Sequence, residues 1–542
     1  MEGVAMKTSR SVLLACLLVG AMSIVVMPVI FPAFGAGPKG TSYHFKIIKQ
    51  GVMNDTSNYY CWLPESVGTV RCVIVHQHGC TREGDAHLMM SDVQWLTFVK
   101  KWHAAFIAPA LISNPDCSNW YTITRGSANS FLMALDSMAR LAGHPEIKTV
   151  PWAIWGHSGG SLWMTAMTTV YPDRIAVGIA QSGSVEMSTT PATLKIPILH
   201  HNGRKDMIYN DTQFVHGRSK GALWAHAINP FPMWENLGVN RGICPTSTDP
   251  NHLCWDTTVY GHAPHDLRMI CIPWLDIALT ARLPDQAGSA QLKDMDTSNA
   301  WIGDWTTHTI TSAAMYTGNK STACWFPNER WAKMWQEYMA TGTQKDSTPP
   351  PAPYNLTGTY SNGQIVLKWD ADADMETGIK TFIIYRNGSL LQKMTWPNAP
   401  STLFTTEKGF QRWDDGDQPN PTPAPNMTFT DNNLAATATY TYEVSTVNWS
   451  DVAGPKSGTL TLKNGVVSID APYCENSPMV KRTQVSLMYA GSRAVLTGPV
   501  AFYDIRGRRL VSADIPDGQR AELKGLLRNK SDNLVVVRYQ SK

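Results

Sequence analysis

The chain has 542 residues, which suggests three or four domains. Its formal charge at pH 7 is +3, and no basic stripe or basic helix accompanies that charge. A nucleic-acid partner is therefore not expected.

The first 35 residues have the organisation of an export signal. Lys7 and Arg10 precede an apolar run over residues 12–31, and Ala33-Phe34-Gly35 is a candidate cleavage site. The apolar run is also long enough to span a bilayer, so an uncleaved N-terminal anchor is the alternative. We expect a secreted, periplasmic or cell-surface protein.

A buried strand is predicted over residues 71–76, and it leads into Gln-His-Gly-Cys-Thr at 77–81. Gly79 permits a close approach of the backbone. The N–H of Cys80 is a candidate hydrogen-bond donor to an oxyanion that forms nearby.

The sequence Gly-His-Ser-Gly-Gly at 156–160 lies between a predicted strand (150–155) and a predicted helix (161–167). A Gly-x-Ser-x-Gly in this setting is typical of a serine nucleophile on a tight strand-to-helix turn. Ser158 is the predicted nucleophile, and the N–H of Gly159 is the predicted second oxyanion donor. A second match, at 217–221, contains Ser219 and is interpreted as a surface turn or helix start.

A serine nucleophile needs a histidine base and a carboxylate that orients it. In α/β-hydrolases, whose elbow the pattern around Ser158 resembles, these residues follow in the order Ser, acid, His. Asp206 follows a predicted strand at 196–201 and is the favoured acid, with Asp211 as the alternative. His262 follows a predicted strand at 256–260 and precedes a predicted helix at 266–279. It is the favoured base. His265, on the same loop, is the alternative, and it is less favoured because its position at the helix N-cap suits a capping role.

His-Gly-Cys-Thr at 78–81 resembles the oxyanion loop of secreted polyhydroxyalkanoate-depolymerase and feruloyl-esterase-like α/β-hydrolases. Ser158, Asp206 and His262 fall where that family has its triad. The resemblance covers roughly residues 60 to 285, and it implies a carboxylester hydrolase without metal or organic cofactor. Imidazole ligation of a metal by His76, His78, His200 and His201 is a competing interpretation, but no carboxylate ligand is evident beside them.

Ten cysteines are present, and nine remain if Cys16 is removed with the signal, so at least one stays unpaired. Cys271, in an apolar run, is the predicted buried thiol. The candidate disulfide pairs are Cys244–Cys254, Cys80–Cys117 and Cys61–Cys72.

The organisation along the chain is inferred from changes in composition. A catalytic domain is expected over 36–285, followed by a Trp-rich extension over 286–345 that packs on it. Consecutive prolines at 346–353 predict a stiff linker that isolates the C-terminal part of the chain from the catalytic domain.

Short alternating strands predict a β-sandwich over 354–463. Trp369, Tyr385 and Tyr440-x-Tyr442 resemble a fibronectin type III domain with a tyrosine corner. An acidic run in this segment could bind Ca²⁺, although we favour a solvated acidic turn. The run consists of Asp370, Asp372, Asp374 and Glu376.

Residues 466–542 are predicted to form a small β domain. The segment 502–510 resembles the C-terminal sorting domains that some bacteria use for secretion and surface attachment. The alternative is a second small sandwich with a basic turn. Attachment to a membrane or cell surface through either terminus is therefore an expectation.

These expectations describe an α/β-hydrolase, with a mostly parallel sheet and helices on both faces, followed by all-β sandwich domains. We expect a serine esterase that cleaves polysaccharide-linked or polymeric carboxylic esters through an acyl-enzyme. The alternatives are a serine peptidase of the prolyl-oligopeptidase type and a non-catalytic adhesion protein on the same scaffold. Several tryptophans fall in predicted loops, where an exposed aromatic rim would suit such substrates, but we expect most to be core or lid residues: Trp62, Trp95, Trp120, Trp224 and Trp255.

Overall fold

The computed structural model describes the greater part of the chain between residues 37 and 539. The described ranges are 37–48, 50–51, 56–65, 67–81, 83–181, 183, 185–203, 207–229, 266–341, 346–361, 363–394, 427–432, 434–435, 438–448, 450–463, 466–468, 487–490, 493–495, 498–503, 509–515 and 536–539.

The N-terminal domain is built on an eight-stranded sheet with the order β1-β2-β4-β3-β5-β6-β7-β8. β2 is antiparallel to β1 and β4, and the neighbours from β4 to β8 are parallel. The strands are β1 (Gly40–Ile47), β2 (Ser57–Pro64), β3 (Val73–Gln77), β4 (Ala105–Ala110), β5 (Trp152–His157), β6 (Ile175–Gln181), β7 (Ile198–Gly203) and β8 (Trp224–Asn229).

Every residue of β3, β4, β5 and β6 is buried. This pattern is typical of central parallel strands, whose two faces are both covered. The helices of this domain are α1 (Val93–Lys101), α2 (Ser118–Tyr121), α3 (Ser127–Ala142), α4 (Gly159–Val170), α5 (Pro191–Leu194), α6 (Met207–Ser219) and α7 (Asp266–Arg282). The mixed sheet with its helices resembles the α/β-hydrolase fold, as predicted, and we call the domain that it forms the hydrolase domain after this fold alone.

The Trp-rich extension forms a small sheet and one helix. The sheet has the order β10-β9-β11, with β9 (Trp301–Asp304), β10 (Ile310–Ser312) and β11 (Ala323–Phe326), and the helix is α8 (Glu329–Thr341). Trp331, Trp335 and Tyr338 of α8 are fully buried in the core of the hydrolase domain. Trp335 Nε1 donates to the His226 carbonyl of β8 (2.7 Å). The extension therefore packs at the edge of the large sheet that β8 forms.

The next domain has two antiparallel sheets around one core. One sheet has the order β12-β13-β16, and the other has the order β15-β14-β17-β19, with β18 paired to β17. The strands are β12 (Tyr354–Ser361), β13 (Gln364–Asp370), β14 (Thr381–Arg386), β15 (Ser389–Lys393), β16 (Thr428–Asp431), β17 (Thr439–Val447), β18 (Ala453–Lys456) and β19 (Leu460–Lys463).

Side chains from both sheets share this core, and Trp369 meets Phe382 edge to face at 5.2 Å. The Ala435 N–H donates to the Tyr440 hydroxyl (2.6 Å), which is the backbone bond of a tyrosine corner. Asn387 and Gly388 have φ of 52° and 78°, as a type I′ hairpin turn requires.

The second sheet continues beyond residue 463, because β19 pairs with β20 and the order extends to β21 and β22. A separate three-stranded sheet has the order β24-β23-β25. These strands are β20 (Val466–Ser468), β21 (Leu487–Ala490), β22 (Arg493–Val495), β23 (Gly498–Tyr503), β24 (Arg509–Ile515) and β25 (Val536–Tyr539).

The sandwich packs directly on α1 of the hydrolase domain. Val93 is buried in the sandwich core, the Ala373 N–H donates to Thr97 Oγ1 (2.9 Å), and Lys100 Nζ pairs with Asp372 (2.6 Å). The proline linker therefore does not isolate the two domains. The prediction of isolation was wrong because the composition of a linker carries no information about the surfaces it joins.

Burial decides two further expectations. Trp62, Trp95, Trp120 and Trp224 are at most 3% exposed, so these four are buried, as favoured, and do not form an aromatic rim, whereas Trp255 lies outside the described residues. The expectation of a solvated acidic turn was wrong, since Asp374 is 2% exposed and Asp370 6%. No described helix is both long and apolar enough to cross a membrane.

Candidate active site

Ser158 lies on a sharp turn between β5 and α4. Its φ is 50° and its ψ is −117°, a conformation that a non-glycine residue adopts only where the surrounding structure imposes it. The Ser158 N–H donates to the Gln181 carbonyl of β6 (2.8 Å), and its carbonyl accepts from Ser161 and Leu162. The side chain is only partly buried. A strained, accessible serine at this place is the arrangement of a nucleophile elbow.

The glycines around Ser158 are there because the backbone leaves no room for a side chain. A Cβ on Gly156 would lie 2.2 Å from the Gly160 carbonyl oxygen. A Cβ on Gly160 would lie 2.4 Å from the carbonyl oxygen of Gln77. The turn is thus packed against the end of β3, where the predicted oxyanion loop begins.

The loop after β3 approaches Ser158 closely. A Cβ on Gly79 would lie 3.3 Å from Ser158 Cβ and 2.9 Å from His157 Nδ1, and a Cβ on Gly159 would lie 2.5 Å from Cys80 Sγ. Gly159 is the first residue of α4, where a backbone N–H has no acceptor within the helix. The structure therefore brings Ser158, Gly159 and Cys80 together.

His78 fixes the orientation of the peptide that carries the Cys80 N–H. Its Nε2 accepts from the Leu111 N–H (3.0 Å), so its Nδ1 carries the proton and donates to the Gly79 carbonyl (2.5 Å). Burial lowers the pKa of His78 to about 4, which keeps the ring neutral. In a trans peptide the C=O and the N–H point in opposite directions, so holding the Gly79 carbonyl also directs the Cys80 N–H.

A disulfide holds the same loop to α2. Cys80 is bonded to Cys117, at the start of that helix, and Thr81, the next residue, donates its N–H to Ser113 Oγ (3.0 Å). The predicted pair Cys80–Cys117 is confirmed. The pair Cys61–Cys72 is wrong, because both are buried thiols outside any disulfide, and Cys271 is a buried thiol as predicted. Cys244 and Cys254 lie outside the described residues.

A buried ion pair connects the start of α1 with the start of α7, the helix that comes after His262 in sequence. Arg268 in the first turn of α7 donates to both carboxylate oxygens of Asp92, at 3.0 and 2.7 Å, and to Gln94 Oε1 at 3.2 Å. Asp92 is also the N-cap of α1, accepting from the Trp95 N–H (3.0 Å). Sequence analysis missed this pair, since 176 residues separate its members.

The other predicted triad residues, Asp206 and His262, lie outside the described residues, as does His265. Asp211 lies in α6, but its side chain is not described. Ser219 is exposed at the C-terminal end of α6 and donates to the His216 carbonyl (2.7 Å). Ser219 is thus on the surface, at a helix end rather than a helix start, although Arg218 beside it is buried.

The histidines considered as metal ligands are held in apolar and aromatic surroundings. His76 stacks on Trp155 (6.1 Å), and His200 meets Trp224 edge to face (5.3 Å). His201 Nε2 is hydrogen-bonded to the Tyr338 hydroxyl (2.8 Å), and both nitrogens of His78 are engaged as described. Within the described residues, the group with suitable spacing for a metal is elsewhere, at Asp346, Asp374 and Glu376.

No family model matches the chain, and no curated protein matches it significantly. Among solved structures, poly(aspartic acid) hydrolase-1 from Sphingomonas sp. KT-1 is 16% identical, with a TM-score of 0.28 over 36% of this chain and 92% of that one. S-formylglutathione hydrolase from Staphylococcus aureus is 13% identical, with a TM-score of 0.28 over 36% and 91%. The feruloyl esterase module from Clostridium thermocellum is 11% identical, with a TM-score of 0.27 over 38% and 87%. These values are too low to assign an activity, so the functional argument rests on the geometry of the site.

Proposed function

We propose that the protein is a serine hydrolase of carboxylic esters with Ser158 as its nucleophile. The observation that carries this proposal is the backbone of Ser158, whose φ of 50° places it on a strained turn between a buried strand and a helix N-terminus. The approach of Gly79 and Cys80 to that turn supports it, because acyl transfer needs hydrogen-bond donors beside the reacting carbonyl.

In this proposal Ser158 Oγ attacks the ester carbonyl, and His262 removes its proton. The N–H groups of Gly159 and Cys80 stabilise the oxyanion. His262 then returns the proton to the leaving alcohol, and water hydrolyses the acyl-enzyme by the same route. Asp206 orients His262 and stabilises its charged form.

The sheet topology supports the proposed acid. β5, β6 and β7 are parallel neighbours, so their C-terminal ends lie at one edge of the sheet. Ser158 follows β5 directly, and residue 206 comes three residues after the end of β7. The base is proposed from the order of residues in the sequence, with His262 four residues before α7.

Replacing Ser158 by Ala should lower the kcat for a soluble p-nitrophenyl ester by roughly 10³ or more while the fold is retained. Ser219→Ala is the matched control, because Ser219 occupies the same pentapeptide pattern, and it should keep full activity. Loss of activity in Ser219→Ala with retention in Ser158→Ala would contradict the elbow assignment.

A panel of substrates then separates the alternatives. Polysaccharide-linked and polymeric esters are the substrates we propose. Cleavage of peptide amides at rates above those of esters would favour the peptidase, and no hydrolysis by the folded wild type would favour the adhesion protein.

A further inference from the structure

Three carboxylates meet where the linker joins the sandwich to the hydrolase domain. Asp346 opens the linker, and Asp374 and Glu376 lie in the turn between β13 and β14. One oxygen from each lies within 4.8 Å of the others. We call Asp346, Asp374 and Glu376 the junction carboxylates, and we propose that they bind a Ca²⁺ ion.

The second oxygen of Asp374 is the observation that points to a ligand. Oδ1 accepts from the N–H groups of Glu376 (2.8 Å) and Thr377 (3.0 Å). Oδ2 is buried and has no hydrogen-bond partner among the described residues, on a residue that is 2% exposed. Buried carboxylate oxygens are otherwise hydrogen-bonded or bound to a metal, because an unsatisfied one loses its hydration without compensation.

The charges around the turn are unevenly compensated. Asp370 and Asp372 pair with Lys39 (2.8 Å) and Lys100 (2.6 Å). Among the described residues, the junction carboxylates have an ion pair between Glu376 and Arg330, at 3.4 Å. The Arg330 side chain is 72% exposed, so solvent screens this pair.

Carboxylates at this spacing repel one another when they are ionised, and a bound cation would offset that repulsion.

The chemistry and spacing of the site suit Ca²⁺. All ligands are oxygens, and Ca²⁺ binds oxygens at about 2.3–2.6 Å, so two ligands of one ion are at most about 5 Å apart. Mg²⁺ demands near-octahedral geometry at about 2.0–2.1 Å and retains several waters, so the more adaptable coordination of Ca²⁺ suits a buried group of carboxylates better.

Asp346 is already oriented for this role. Its Oδ2 accepts from Thr377 Oγ1 (2.6 Å) and Asn448 Nδ2 (2.8 Å), and its Oδ1 accepts from the Thr348 N–H (2.7 Å). Each carboxylate oxygen has two lone pairs, so Oδ1, with one donor, has capacity left for an ion.

The ion would hold together the surface that contacts the hydrolase domain. Met375 comes between Asp374 and Glu376 in the sequence, and its carbonyl accepts from Gln94 Nε2 of α1 (3.2 Å). Gln94 Oε1 in turn accepts from Arg268. Fixing the turn with Ca²⁺ therefore stabilises the contact between the sandwich and α1.

The test uses the full chain, freed of metal with EGTA and titrated with CaCl₂ by isothermal titration calorimetry. We expect Asp374→Asn to bind one Ca²⁺ fewer per chain than the wild type. Asp372→Asn is the matched control, because Asp372 lies in the same turn but pairs with Lys100, and it should keep the wild-type stoichiometry. Ca²⁺ should also raise the melting temperature of the wild type and of Asp372→Asn more than that of Asp374→Asn.

Glu376→Gln provides a second variant in case Asp374→Asn does not fold, and circular dichroism checks both. Equal Ca²⁺ stoichiometry in the wild type and both variants would overturn the proposal. So would loss of one Ca²⁺ in Asp372→Asn, or binding of Mg²⁺ at the junction carboxylates as tightly as Ca²⁺.

Discussion

At the scale of single residues, the candidate site contains groups whose conformation or protonation is set by their surroundings. Ser158 is held in a strained conformation by its neighbours, and Gly156 and Gly160 are needed because backbone oxygens occupy the space of a Cβ. His78 is held as a neutral tautomer that orients the Cys80 peptide. These effects act over a few ångströms, and several of them are specified by one pentapeptide.

Substitution can decide whether His262 or His265 is the base. His262→Ala should lower kcat by about the same factor as Ser158→Ala, because Ser158 would lose its proton acceptor. His265→Ala should lower it by at most about tenfold. Steady-state kinetics on the same soluble ester measure both, and the reverse ranking would assign the base to His265.

Because several buried histidines are neutral in the folded protein, we expect the protein to lose stability in mild acid. Burial lowers the pKa of His78 to about 4, of His200 to about 3 and of His201 to about 4. The unfolded chain takes up protons on these side chains near pH 6.5, whereas the folded chain does so only at lower pH. Their contribution to stability is therefore complete above pH 6.5 and is lost as the pH falls from 6.5 toward 4.

His200→Leu provides the test, since His200 packs between Trp224 and Phe214 and its ring nitrogens have no hydrogen-bond partner among the described residues. Urea unfolding at pH 7.5, 6.0 and 5.0 gives the free energy of unfolding. Between pH 6.0 and 5.0 the wild type should lose more stability than the variant, by up to about 1.4 kcal/mol. Identical pH dependence of the two proteins would contradict the prediction.

At the scale of elements, the site is assembled by pairs that lie far apart in sequence. β3 and β5 are adjacent parallel strands, so the loop after β3 and the elbow after β5 emerge side by side. Asp92 and Arg268 then connect the start of α1 with the start of α7. Both side chains are almost fully buried, so removing one of them should strongly destabilise the folded state.

Removing the cation alone should therefore destabilise the protein. Arg268→Met should lower the free energy of unfolding by roughly 3–5 kcal/mol, because the Asp92 carboxylate loses its guanidinium partner in a buried environment. Asp92→Asn in the same chain should restore part of that loss, since asparagine removes the charge and still caps α1. Urea unfolding of the wild type, both single variants and the double variant measures the coupling. Strictly additive effects would show that the two side chains do not act as a pair.

At the scale of the whole molecule, the sandwich is attached to the hydrolase domain by packing as well as by the linker. Val93, Thr97 and Lys100 of α1 all contact it, and Gln94 connects the contact to Arg268. The sandwich contributes none of the proposed catalytic residues. We therefore expect the sandwich to stabilise the domain that carries the candidate site and not to be required for hydrolysis of a soluble ester.

A chain ending near residue 342 should consequently remain active on a soluble ester but melt at a lower temperature than the full chain. The truncation exposes apolar surface of α1, whereas α8 is kept and continues to cover the sheet. On an insoluble polymer the truncated enzyme should lose more activity, because a tethered module raises the local concentration of substrate. Differential scanning calorimetry and the two assays measure these effects. An equal loss of activity on soluble and insoluble esters would mean that the later domains form part of the active site.

The sequence alone determined the parts that depend on local patterns. The elbow at Ser158, the strands before it and before Cys80, and the alternating strands of the sandwich are all specified by turn residues and hydrophobic periodicity over a few positions. Asp206 and His262 remain predictions of the same kind, based on their order along the chain.

Only the tertiary structure decided which distant residues meet. It paired Asp92 with Arg268, gathered Asp346 with Asp374 and Glu376, placed the sandwich on α1 and buried four tryptophans that had been assigned to loops. A periodic pattern shows that a side chain faces inward, but it does not name its partner. Partners are selected by packing and charge compensation among elements that the chain brings together from far apart.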